Sequence, residues 1–179
     1  IGVLRRNEIK TINKKLSNHQ SSFFFGGQLT YGNIKGYLLS NGFDIVKDEQ
    51  NYKHLPSGRL GVHDEFMFNQ FLTEINKLNE PFFTTLFTIS SHSPYDHPGE
   101  RNISFSSRED PYVNSVAYTD KFLGDFMRKI KLEGYYKNTL FILSTSTRSL
   151  SSSSITYGVP FALNLTTLPV SSVLSSLSS

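Results

Sequence analysis

Residues 82–98 read Phe-Phe-Thr-Thr-Leu-Phe-Thr-Ile-Ser-Ser-His-Ser-Pro-Tyr-Asp-His-Pro, a run that is aromatic or β-branched at nearly every position and then turns polar. A strand with one wet face alternates; one that shows apolar and branched residues to both sides belongs inside a sheet covered on both faces. Residues 82–90 are therefore expected as an inner strand of an α/β protein. In open α/β sheets ligands bind just beyond the carboxyl ends of the strands. His92 lies at such an end. From this segment alone it is either a chemical group at a cleft or a turn histidine bonded to backbone near Pro94.

The rest of the chain alternates in the same manner. A short aromatic strand at 22–25 is closed by Gly26 and Gly27, and a helix over 31–41 is ended by Gly42. A second short strand follows at 43–46. Residues 54–62 form a loop with Pro56, Gly58 and Gly61, after which Asp64 stands where an N-cap would start a helix over 65–79. Phe68, Phe71, Leu72, Ile75 and Leu78 recur there at spacings of three and four, giving one apolar face. Val116, Phe122, Leu123, Phe126 and Ile130 repeat the pattern in a helix over 112–132. Strands are expected again at 139–143 and 157–164. Strands alternating with amphipathic helices predict a mostly parallel sheet with helices on both faces, in which 82–90 and 139–143 are adjacent or near-adjacent inner strands.

Composition narrows the function. With 37% hydrophobic and 13% aromatic residues in 179, the chain can bury a core as one domain. The formal charge of +3 comes from 18 basic and 15 acidic residues that are mostly interspersed, so no nucleic-acid partner is expected. The absence of cysteine excludes thiolate metal sites, cysteine nucleophiles and disulfides, and is compatible with an oxidising compartment. No stretch is apolar for long enough to span a membrane, and the opening Ile-Gly-Val-Leu-Arg-Arg does not read as a signal peptide. A start without methionine suggests a fragment. From Ser144 onward serine dominates, interrupted only by the core-like 157–164. A natural linker rarely resumes after a core strand, so residues 144–179 are of doubtful sequence, with serine standing where other side chains belong.

The ordered series Phe24–Gly27, Asn33, Asn41–Asp44, Gly61–Glu65, Pro81–Phe83, Ser91–Tyr95 and Tyr118–Asp120 resembles the sulfatase superfamily. Within it, the likeness is greatest to the branch of lipoteichoic acid synthases and phosphoglycerol transferases, over about residues 20–143. The resemblance implies a three-layer α/β/α sandwich of the alkaline phosphatase type, of which residues 1–179 form the carboxyl-proximal part. It also implies the extracytoplasmic (periplasmic or extracellular) face of the cell membrane, with any membrane tether outside this chain. The implied substrate is a phosphate or sulfate ester, on a lipid or a glycan. The implied chemistry uses a threonine or formylglycine nucleophile beside a divalent metal (Mn, Mg, Zn or Ca).

His92 matches the family's substrate-side histidine, which hydrogen-bonds a phosphate or sulfate oxygen or protonates the leaving oxygen, as an imidazole can near neutral pH. Gly26, Gly27 and Asn33 fall at substrate-binding positions. The glycine pair either cradles a phosphate with backbone N–H groups ahead of a helix or makes a tight turn. Two departures stand out. The family's nucleophile precedes Ile1, and Ser146 and Thr147 occupy the places of an expected Asp-His metal pair. Neutral hydroxyls are poor ligands for a divalent ion, so the chain as written is expected to hold no metal and to be inactive by itself. The alternative is a catalytically inactive module that keeps the fold for binding or structure. Of the remaining candidates, His63-Asp64-Glu65 reads as helix capping rather than a metal cluster, and Asp96 and His97 as solvated loop residues. Tyr118 reads as packing, and Asp120 as a partner for a neighbouring loop.

Overall fold

A computed structural model describes residues 12–145 and 161–167. A short helix α1 (Ile12–Lys15) precedes β1 (Gln20–Phe25), α2 (Ile34–Ser40) and β2 (Ile45–Lys47). Then come α3 (Asp64–Ile75), β3 (Phe82–Phe87), α4 (Asp110–Ile130), β4 (Thr139–Thr145) and β5 (Phe161–Thr167). The strands form one sheet in the order β2-β1-β3-β5-β4. β1 pairs in parallel with both neighbours, Ser22 lying opposite Ile45 on one side and Thr84 on the other. β5 runs antiparallel to β3 and to β4, so it opposes the other strands.

The inner position expected for 82–90 holds for Phe82–Phe87, where the strand ends three residues early. Five of the six β3 residues are buried and Phe87 is half-buried. The alternation sends Phe82 and Leu86, with Phe24 of β1 and Leu163 and Leu165 of β5, against α3 and α4. There the rings of Phe24, Phe71 and Phe126 meet at centroid distances of 5.6 Å. The opposite face carries Phe23, Phe25 and Phe87 toward Leu29 and Leu38 of the α2 side. Ser22 Oγ donates to Thr84 Oγ1 at 2.7 Å, which satisfies two hydroxyls inside the apolar layer.

The carboxyl-terminal strands correct one expectation. β4 is separated from β3 by β5 and sits at the edge of the sheet among the described strands, with Leu140, Ile142 and Leu143 exposed. β5 takes the inner place instead, since Leu163 and Leu165 are almost wholly buried. That strand lies further along the chain than the expected 157–164; residues 157–160 are outside the described residues. The helix expected over 31–41 is broken, because Gly32 (φ 62°) and Asn33 (φ 55°) are both left-handed and divide a 3-10 turn from α2. Gly42 ends it at φ 87°, as expected. α3 begins one residue earlier than expected and stops at Ile75, not Asn79.

Candidate functional site

The carboxyl ends of β1 and β3 lie side by side, and the loops leaving them build the site. After β3 the chain makes a turn in which the His92 amide donates to the Ile89 carbonyl at 2.9 Å and the Tyr95 amide donates to the His92 carbonyl at 2.8 Å. The His92 ring is exposed, and its Nδ1 lies 2.8 Å from the Ser93 carbonyl oxygen. A carbonyl only accepts, so Nδ1 carries the proton and Nε2 is left for chemistry. His92 is thus a turn residue by its bond and a cleft residue by its place. It is bonded to backbone, and it borders a cleft.

That cleft, about 1260 Å³, lies between the Phe23, Phe25 and Phe87 face of the sheet and Leu38 of α2, with Arg59 and His92 on its border. β4 contributes no residue to it among the described residues, since β5 intervenes. A smaller recess beside His92 is lined by Gly58, Arg59, His63 and Asp96. Arg59 and His63 are therefore drawn to His92 from a loop that the sequence presents only as a turn.

Gly26 and Gly27 seat that loop. The Val62 amide donates to the Gly26 carbonyl at 2.9 Å and the Glu49 amide to the Gly27 carbonyl at 3.0 Å. Gly61 has φ +138°, and a Cβ on it would fall 2.3 Å from the Gly26 carbonyl oxygen, so only glycine allows the approach. Both Gly26 and Gly27 are buried, and the 3-10 turn separates them from the amino end of α2, so the pair is a packed turn and not a helix-terminus cradle. Asn33 is exposed and caps α2 without a side-chain hydrogen bond. None of these three residues lines the cleft with His92.

Asp64 overturns its capping assignment. His63, not Asp64, is the residue preceding α3, and it makes no side-chain cap. The Asp64 carboxylate is fully buried and accepts from the Ile89 amide (2.8 Å), the Ser90 amide (3.2 Å) and the Thr119 hydroxyl (2.6 Å). Burial pushes its pKa up, against the pull of those donors. Asp120, expected to bond a neighbouring loop, is exposed; the adjacent Thr119 reaches across instead.

His97 is not solvated, contrary to expectation, whereas Asp96 is partly exposed. Asp96 accepts from the Arg59 amide at 3.0 Å, and His97 is buried with its ring stacked 4.9 Å from that of Tyr118. This bears out the packing role of Tyr118. Neither ring nitrogen of His97 has a hydrogen-bond partner among the described residues. Burial lowers its pKa, with Arg101 and His63 acting in the same direction and Asp96 opposing.

Among the described residues no group of three His, Asp or Glu side chains could hold a metal ion. These residues therefore do not fit the divalent metal that the resemblance implies. Ser146 and Thr147 lie outside the described residues.

A largely parallel sheet between helical layers, with polar loops at its strand ends, is an α/β fold of the alkaline phosphatase type. A crystal structure of an alkaline phosphatase superfamily protein from Vibrio parahaemolyticus superposes with a TM-score of 0.67 at 29% identity, over 86% of this chain and 40% of that one. The sulfatase family model matches residues 3–146, and the chain belongs to the sulfatase family. It is 27% identical over 145 residues to the lipoteichoic acid synthase-like protein YvgJ of Bacillus subtilis, covering 76% of this chain and 24% of that protein. Phosphoglycerol transferase I of Xanthomonas campestris is 19% identical over 150 residues, 73% of this chain and 20% of the relative. The structure of the lipoteichoic acid synthase LtaP from Listeria monocytogenes shares the fold, with a TM-score of 0.60 at 22% identity over 84% of this chain and 44% of that one. The chain thus spans about a quarter or less of the length of these two curated relatives.

Proposed function

We propose that this chain is the carboxyl-proximal part of the catalytic domain of a metal-dependent enzyme acting on phosphate esters, with a phosphoglycerol-bearing lipid as substrate. The observation that carries the reading is His92. It lies beyond an inner strand, its Nδ1 is held by the Ser93 carbonyl, and its Nε2 is left available at the border of an apolar cleft. When Nε2 is protonated it donates to a phosphate oxygen or hands its proton to the leaving oxygen; Arg59 at the same border adds positive charge. The apolar walls suit the acyl portion of a lipid better than a free sugar. The names of the similar proteins, lipoteichoic acid synthases and a phosphoglycerol transferase, favour phosphate over sulfate esters.

On this reading the nucleophile and the divalent metal are supplied by polypeptide preceding Ile1 and by the segment after β4. The enzyme works on the extracytoplasmic face of the membrane, and any tether lies outside the described helices, none of which is long and apolar enough to cross a bilayer. The test is to supply the full-length chain and manganese with vesicles containing a phosphoglycerol-headgroup lipid and, separately, with an aryl sulfate. Release of diacylglycerol at a rate well above sulfate release is the expected result. Preference for the aryl sulfate would overturn the phosphate assignment, and no turnover of either would favour an inactive module.

A further inference from the structure

We infer that Asp64 is a positioning residue that fixes His92 at the cleft through the turn joining them, an inference that rests on the role proposed for His92. An aspartate at the start of a helix ordinarily serves that helix, by capping it or by facing its dipole. Asp64 stands in the first turn of α3, yet none of the hydrogen bonds its carboxylate makes goes to an amide of that helix. The buried carboxylate takes the Ile89 amide on Oδ1, the Ser90 amide across both oxygens, and the Thr119 hydroxyl on Oδ2. The Asp64 amide in return donates to Ser90 Oγ at 2.9 Å. One side chain thereby ties the amino end of α3, the middle of α4 and the first residues of the turn after β3.

Ile89 and Ser90 are where the chain leaves the β3 ladder, so their amides have lost their strand partners and need others. Asp64 supplies them. The bond path continues directly, because the Ile89 carbonyl accepts the His92 amide. The carboxylate has no cationic partner among the described residues, so its burial is not explained by an ion pair. A carboxylate is the side chain that offers two acceptor oxygens and no obligatory donor, which matches three converging N–H and O–H groups.

Asp64→Asn keeps the shape but brings an amide N–H into a site built only for acceptors, and Thr119→Val deletes one hydroxyl at nearly constant volume. In the full-length chain each is combined with intact His92 and with His92→Ala, and turnover of the phosphoglycerol lipid is followed with thermal unfolding as the control for folding. With His92 present, Asp64→Asn should lower kcat about tenfold, with little change in KM, because a displaced acid or phosphate ligand acts mainly in the transition state. In the His92→Ala background the same substitution should lower kcat no further. Should Asp64→Asn fail to fold, Thr119→Val is expected to show the same pattern at about threefold. Equal losses in both backgrounds would overturn the inference while leaving His92 in the site. A His92→Ala parent as fast as the wild type would remove the role of His92, and the inference with it, and is told apart by that single comparison.

Discussion

Histidines 92 and 97 are five residues apart and were legible to very different degrees. His92 follows a strand whose pattern is visible over six residues, so its place could be read from the sequence. His97 follows three more loop residues and a proline, a setting that suggests water, yet it is buried on Tyr118, 21 positions away. Asp64 was misread for the same reason, because its partner Thr119 lies 55 residues distant. Local pattern carries no information about such meetings.

The buried His97 makes stability depend on pH. Its folded pKa lies below the unfolded value near ~6.5, so the unfolded chain takes up the extra proton as pH falls. The contribution is complete above about pH 6.5 and is lost as pH drops from there toward the folded pKa. Arg101 and His63 strengthen the effect and Asp96 weakens it. His19, also lowered by burial, adds in the same direction. Urea midpoints measured at pH 7.5 and 5.5 should fall on acidification. In His97→Phe, which keeps a ring against Tyr118, they should fall less; an identical drop in that variant would assign the dependence elsewhere.

Among the elements, β1, β3 and the amphipathic helices α3 and α4 were visible in the sequence because their periodicity is strong and their cores are contiguous. The order of β4 and β5 was not. An apolar run such as residues 140–143 states that a strand is apolar on both sides, but not which strand sits beside it, and β5 took the inner place. The break of the expected 31–41 helix at Gly32 and Asn33, just before α2, depends on two left-handed residues that the helical pattern of the segment does not reveal. The loop over 58–62 depends on contact with the glycine pair after β1, and this yields a test at the element scale. Gly61→Ala must place a Cβ against the Gly26 carbonyl from a left-handed φ, and should destabilise the fold by roughly 1–3 kcal/mol. The urea midpoint reports it directly. An unchanged midpoint would mean that this loop is not held as described.

At the scale of the whole molecule, the order of short motifs along about 120 residues announced the sulfatase family, and the family match over residues 3–146 and the shared fold agree. Half of the chemistry that the resemblance implies was not legible, because the expected nucleophile has no counterpart in the matched motifs and Ser146 and Thr147 stand where an Asp-His pair was expected. If the serine-rich segment departs from the natural sequence, peptide mass spectrometry of the purified protein should find Asp and His at these positions, a carboxylate and an imidazole suited to a divalent ion. Recovery of the residues as written would favour the inactive module. Calorimetric titration of the chain as written with manganese or zinc should show no stoichiometric micromolar site; such a site would reveal ligands beyond those considered.

The central claim is that the cleft bordered by His92 handles a phosphate ester, and its most direct measurement is the turnover of a phosphoglycerol-headgroup lipid by the full-length protein and by His92→Ala. The account predicts a loss of about a hundredfold or more in kcat with the variant still folded, the size expected for a general acid or phosphate contact. Turnover by His92→Ala equal to that of the unaltered protein would contradict it.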